Sequence, residues 1–150
     1  MCYEEILNAL GPCGLNCKKC FAHRDGKIRR YSLKLVKEFG KFDVYAERFE
    51  TLLNNPIFKK YPDFKIMLEY FASENCQGCR KESCRLFKDC GVRACHQQKN
   101  VDFCFQCTDF PCKKTNFDGH LENRWIQINH RIRTVGIEKY YAETKDKPRY

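Results

Sequence analysis

The sequence predicts a mainly α-helical protein, on three observations. Apolar residues recur at helical spacing on both sides of a cysteine-rich segment, turn residues punctuate those runs, and the βα alternation of a barrel or wound sheet is missing. Before the segment, Tyr31, Leu35, Val36 and Phe39 form one stripe, and Phe42, Tyr45, Ala46, Phe49, Leu52 and Leu53 form another. They read as two amphipathic helices broken near Gly40. Asn54, Asn55 and Pro56 then supply a turn, and Pro62 can take the first position of a third helix whose apolar face is Phe64, Met67, Leu68 and Phe71.

Beyond the cysteines, Thr115 with Asp118 resembles a capping box, and Leu121, Trp125 and Ile128 make an apolar stripe behind it. A last short helix is expected over 137–143, with a frayed end over 144–150. Aromatic residues at helical spacing are read as core rather than as a ligand groove. The expected organisation is one domain over 1–150: a helical middle at 30–75, a cysteine-rich segment at 76–112 and a helical tail at 115–143. The length of 150 residues suits one ordinary core, and 43% hydrophobic residues supply the apolar mass to fold it.

Residues 1–10 hold Glu4 and Glu5 and lack the basic start and long apolar run of an export signal. No run of about eighteen apolar residues suits a membrane span. The expectation is a soluble, cytoplasmic protein. Twelve cysteines are then the dominant feature, because a reducing cytosol does not maintain structural disulfides. Metal is the usual resolution, and a secreted disulfide framework is the reading set aside.

The formal charge of +9 has to be corrected for that chemistry. Ligating thiols are deprotonated, so each divalent ion on four thiolates adds two negative charges; two such sites leave about +5, and three about +3. The excess is also diffuse, with residues 1–26 neutral and 27–75, 76–113 and 114–150 each carrying +3. A solvated mixed surface is favoured over a nucleic-acid footprint.

The first cysteine cluster is Cys13-Gly-Leu-Asn-Cys17-Lys-Lys-Cys20, on a turn that Gly11, Pro12 and Gly14 allow. Its spacing is also that of the radical S-adenosylmethionine enzymes, but those need a barrel that this chain has neither the length nor the alternation to build. The second begins with Cys76-Gln-Gly-Cys79, a knuckle in which Gly78 can turn the chain around an ion. Cys84, Cys90 and Cys95 follow, with His96 beside the last, and Cys104-Phe-Gln-Cys107 makes a second pair. Cys76, Cys79 and Cys84 share their spacing with Cys104, Cys107 and Cys112, an internal echo that suggests two similar loops.

Taken together, CGLNCKKC, CQGC and CGVRACHQQKNVDFCFQCTDFPC resemble a prokaryotic family known as domain of unknown function 3795. The tail, with Gly136, Glu138 and Tyr140, is similar to that family's Gly-x-Glu element, so the resemblance runs from about Gly11 to Tyr141. It implies metal ligation and assigns no activity. Carried over position by position, it marks Cys13, Cys17, Cys20, Cys76, Cys79, Cys90, Cys95, Cys104, Cys107 and Cys112 as the ligand pool. Cys84 has no counterpart in that pattern and is left out against the echo, and Cys2 is read as a spare thiol.

With the pool in hand, one grouping places Cys76, Cys79, Cys104 and Cys107 on one ion and Cys13, Cys17, Cys20 and Cys112 on another. The expected fold is therefore a small helical domain with irregular zinc-knuckle loops stapled by metal. Scattered pairs favour zinc, about two ions, over an iron-sulfur cluster. Three functions follow: a zinc-stabilised binding module with closed sites; a redox or metal-handling protein in which Cys13, Cys17 and Cys20 leave an open position and Lys18 and Lys19 activate the thiols; and a nucleic-acid binder using Arg29, Arg30 and Tyr31 with Arg124, Trp125, Arg131 and Arg133. A protein partner is favoured over nucleic acid. No acid pair or Ser–His arrangement indicates hydrolysis, so no catalytic residue is assigned, and His23, His120 and His130 are read as ordinary.

Overall fold

The computed structural model describes residues 2–150; Met1 lies outside them. Among the described residues there are seven α-helices and no strand: α1 (Tyr3–Ala9), α2 (Lys27–Phe39), α3 (Phe42–Leu52), α4 (Tyr61–Ser73), α5 (Val92–Gln98), α6 (Gly119–Val135) and α7 (Ile137–Thr144). A single antiparallel bridge joins Leu10 to Asn16. None of the helices is long and apolar enough to cross a membrane. The chain divides into two compact units, one of residues up to Cys20 with Cys76–Tyr150, the other Phe21–Asn75.

The Phe21–Asn75 unit holds α2, α3 and α4 and no cysteine. Gly40 ends α2 at φ 50°, a backbone that costs an L side chain, so the break between the two stripes falls where the sequence places it. Phe39, Phe42, Tyr61 and Phe64 then meet edge to face, with Phe42 and Tyr61 centroids 4.9 Å apart. Asn55 caps a short 3-10 turn over Pro56–Lys60 by accepting from the Ile57 N–H, which replaces the simple turn expected there. The packing is shallow. Ala46, Tyr61, Leu68 and Ala72 are buried, while Leu52, Leu53, Ile57 and Ile66 each remain more than 60% exposed.

The other unit is organised by α6. Trp125, Asn129 and Ile132 recur at three- and four-residue spacing and are 0–1% exposed, so one stripe of this helix is the core. Leu15, Val92, Phe110 and Leu121 pack around Trp125; Ile6, Leu10, Phe103 and Tyr140 pack around Ile132. The N-cap is Asp118, whose carboxylate accepts from the Leu121 N–H at 3.0 Å. This corrects the expected cap at Thr115, whose carbonyl instead accepts from the Gly91 N–H. Helix α7 begins directly after Gly136, at φ 83°.

The end of the chain is not frayed. Lys19 Nζ donates to the Thr144 and Lys147 carbonyls, the Arg149 carbonyl accepts from Arg124 Nη2 at 2.6 Å, and the Tyr150 hydroxyl lies 3.7 Å from Cys20 Sγ. Charged and aromatic side chains anchor a segment whose composition alone suggests disorder.

Gly14 has φ +86°, and a Cβ there would stand 2.5 Å from Ile128 Cγ2 on α6. Gly14→Ala should destabilise the protein by about 2–4 kcal/mol, adding left-handed strain to overpacking. Gly119→Ala, with open space around its Cβ at the start of α6, should be neutral or slightly stabilising. Urea denaturation of both variants checks the pair.

Candidate metal centre

All twelve cysteines are free thiols, and all lie in the unit that α6 organises. Cys2 is exposed and apart from the rest. The others separate into two groups and one pair.

The first group is Cys95, Cys104, Cys107 and Cys112, which line a cavity of about 20 Å³ walled by Val101, Phe110 and Trp125. Helix α5 carries Cys95, a 3-10 turn over Cys104–Gln106 places Cys104 and Cys107 at its two ends, and Cys112 follows the cis Phe110–Pro111 bond. The turn is fixed from outside: the Cys104 N–H donates to the Pro12 carbonyl, and the Phe103 N–H to Gln106 Oε1. Burial pushes the Cys104 thiol up to about 12, opposed by the Trp125 indole N–H. That N–H is buried, makes no formed hydrogen bond and faces the Cys104 sulfur. An ionised sulfur there would satisfy it.

His96 lines the same cavity. Its Nδ1 is 3.0 Å from the Val101 carbonyl, its Nε2 is buried without a partner, and burial holds it below the usual imidazole range. A neutral ring donating from Nδ1 leaves the Nε2 lone pair as a nitrogen donor.

The second group lines a cavity of about 30 Å³ and has five members: Cys13, Cys17, Cys79, Cys84 and Cys90. Cys79 shares hydrogen bonds with Cys17 and Cys84. Backbone N–H groups serve the rest: Leu15 to Cys13, Cys79 to Cys17, Leu86 and Phe87 to Cys84, and Val92 and Arg93 to Cys90. N–H groups aimed at sulfur favour the thiolate over the thiol. Gly11 makes the enclosure possible, since a Cβ there would stand 3.2 Å from Cys17 Sγ and 3.6 Å from Cys13 Sγ.

Electrostatics follow from those contacts. The Cys17 thiol is lowered to about 6, first by its bond with Cys79 and then by the Cys79 N–H and Arg149, against burial. Cys84 is likewise lowered to about 6, first by its contact with Cys79, while Cys79 itself is raised by lying between the two sulfurs and keeping its proton. Arg149 lines this cavity, and its Nη1 donates to the Asn16 carbonyl. Desolvation works against its charge, but the side chains of Cys20, Tyr150, Cys17 and Cys13 around it outweigh that and keep the guanidinium charged.

Cys20 and Cys76 line neither cavity. Cys76 Sγ accepts from the Gly78 N–H at 3.4 Å and is pushed up to about 11, first by burial and also by Glu82 and Cys20. The knuckle turn therefore forms, with Gly78 at φ 98°, but its two cysteines face different neighbours. The cavities sort the cysteines differently from the grouping expected from sequence. Cys79 joins Cys17 and Cys84 rather than Cys104 and Cys107; Cys112 joins Cys95, Cys104 and Cys107; and Cys20 stands away from the cavity of Cys13 and Cys17.

Two residues of the site escaped the sequence reading. Cys84 was signalled by the internal echo and overruled by the resemblance. Arg149 had no signal, because its role depends on where the chain end is anchored. The arginines considered for nucleic acid are also engaged: Arg131 chelates Glu143, Arg133 donates to the Phe105 carbonyl, and Trp125 is fully buried.

Among the described residues, no three histidine, cysteine or acidic side chains already stand at the spacing of a bound ion. The sulfurs converge on two cavities without having closed on either. The donor sets nevertheless fit a soft ion: four or five thiols per cavity, N–H groups at the sulfurs, an orphaned indole N–H and a glycine where a side chain would intrude.

Fold and thiol groups together define a cysteine-rich, mainly helical protein. Residues 9–117 match the family described as a protein of unknown function (DUF3795), and the chain belongs to it. That stretch contains both thiol groups, whereas the tail element around Gly136 and Glu138, and Arg149, lie beyond it. No curated protein and no solved structure matches the chain.

In the reduced, metal-free protein, alkylation of the half-buried Cys84 should set in near pH 6 instead of near the ordinary thiol value of about 8.5, because the thiolate is the nucleophile. Cys79→Ala should move that onset upward. Peptide mapping of alkylation against pH reads both.

Proposed function

We propose that this protein is a metal-binding module that holds two zinc ions on cysteine thiolates, one in each thiol group, and that the ions stabilise the α6 unit. The observation that carries this reading is the sorting of nine cysteines into two separate cavities, each lined by at least four thiols and roomy enough for about one ion. Disulfides are absent from both. Zinc asks for four soft donors in a tetrahedron, and single-ion cavities suit it better than a multi-iron cluster, which remains the alternative for the same donors.

The module reading, with protein as the favoured partner, rests on what surrounds the sulfurs. The Cys95, Cys104, Cys107 and Cys112 cavity is walled by aromatic rings, with no carboxylate or serine against the thiols to act on a substrate. A closed four-thiolate ion of this kind holds structure and does no chemistry.

Elemental analysis of protein purified without air should find about two zinc ions per chain in a colourless solution. Iron with broad visible absorption would replace this reading with the iron-sulfur alternative, and the absence of any bound metal would sink both. Trp125→Phe should weaken the ion on the Cys104 group by about 10–100-fold, through loss of the indole N–H to sulfur, and leave the other ion unchanged.

Chelation should unfold only the unit that contains the thiols. Hydrogen exchange after metal removal is expected to show loss of protection in α6, with α2, α3 and α4 retained, because Phe21–Asn75 has no cysteine.

A further inference from the structure

The second thiol group has one sulfur more than a tetrahedral ion uses. Cys79 is in hydrogen-bonding contact with both Cys17 and Cys84, and the three sulfurs would supply three vertices. Two candidates remain for the fourth, Cys13 beside Cys17 and Cys90 beside Cys84, both lining the same cavity. Both are prepared for ligation in the same way, each accepting a backbone N–H. The first group offers no such surplus of sulfur: its four cysteines make one complete set, with His96 as a nitrogen at the rim.

Surplus sulfur changes the kinetics of an ion more than its affinity. A thiolate-bound d10 ion changes ligands when an incoming sulfur adds and an old one leaves, passing through a five-coordinate state. A fifth thiol held against the site makes that step intramolecular and pre-oriented. Arg149, and Arg93 beside it, are the cations lining this cavity, and they offset the negative charge that five sulfurs and one divalent ion accumulate.

We propose that the ring of Cys13, Cys17, Cys79, Cys84 and Cys90 is a metal-exchange site, in which Cys13 and Cys90 alternate as the fourth ligand to one zinc ion, so that the ion can pass to a thiol-bearing acceptor. The transfer is not a redox step. An acceptor thiol loses its proton to water as its sulfur bonds to zinc, the bond to Cys13 or Cys90 breaks, and the departing thiolate takes up a proton; three further exchanges of the same kind at Cys17, Cys79 and Cys84 would complete the transfer. The Cys95, Cys104, Cys107 and Cys112 ion stays in place as the structural one. This inference rests on the zinc reading above.

The test uses the full chain loaded with zinc, a chromogenic zinc chelator, and glutathione as the acceptor thiol. Glutathione should accelerate release of one of two ions by at least about tenfold over the other, and alkylation trapped after the first release should label the ring cysteines while sparing Cys95, Cys104, Cys107 and Cys112. Cys13→Ser and Cys90→Ser should each keep two ions but slow the fast release, and the double variant should keep one. Equal release rates from the wild-type protein, or first labelling of the other group, would overturn the proposal without any variant. A drop to one ion in either single variant that still folds by circular dichroism would overturn it too, since it would show no sulfur to spare. A wild-type protein that holds no zinc would instead defeat the underlying metal reading.

Discussion

One turn of α6 touches both thiol groups. The Asn129 side-chain amide, fully buried, donates to the Cys13 carbonyl at 2.9 Å and to the Trp125 carbonyl at 2.8 Å. Through the first bond it pins the loop that presents Cys13 and Cys17. Through the second it joins that loop to the residue that walls the Cys104 cavity. Trp125 adds the packing, with its ring 4.9 Å from Phe110 and 6.1 Å from Phe117. Loops without regular secondary structure do not hold sulfurs in place by themselves; here a rigid helix does it, because a buried carboxamide with no alternative partner is costly to release.

Burying sulfur anions creates a second constraint, and the chain meets it with dipoles and cations instead of with solvent. Backbone N–H groups reach four sulfurs of the five-thiol ring, and Arg149 reaches its cavity from the other end of the sequence. Arg149 is itself held at both ends, by the Asn16 carbonyl at its guanidinium and by Arg124 at its own carbonyl. The formal excess of +9 is in this light partly internal counter-charge. A basic composition in a cysteine-rich chain is then weak evidence for a nucleic-acid partner, since several of its arginines are spent inside the fold.

The helices were legible where the apolar stripe was long, as in α2, α3 and the Leu121–Trp125 face of α6, although the expectation that such stripes are core holds only for α6: Tyr31, Leu35, Tyr45, Leu52 and Leu53 stay exposed. The short helices were not. Within α1 only Ile6 and Ala9 are buried, and α5 sits in a segment where cysteines overwhelm the pattern around Val92. The knuckle spacings mark the cysteine clusters in the sequence, but which sulfurs share a cavity is not legible there. A knuckle spacing implies that both of its sulfurs reach one place, and Cys76 and Cys79 do not. Cys79 lines the five-thiol cavity while Cys76 lies by Glu82 and Cys20. The tail failed for the opposite reason: its composition is that of a mobile end, and only the tertiary anchors at Lys19, Asn16 and Arg124 hold it.

The two units solve the problem of stability by different means, and the difference bears on what the thiols are for. The Phe21–Asn75 unit relies on aromatic edge-to-face contacts and leaves many large apolar side chains exposed, so it has helical order with little depth of core. The α6 unit buries more, including Trp125, Phe103, Ile6, Leu10 and Ile132, yet much of its length is irregular loop whose backbone ties are few. Irregular chain carries the full conformational entropy cost of ordering without the regular hydrogen bonding that offsets it in helices. Eleven cysteines brought in from separate loops are an economical remedy only when something draws the sulfurs together, because thiols alone repel as they ionise. A divalent ion would turn that repulsion into attraction, and this is the physical ground for the zinc reading proposed above.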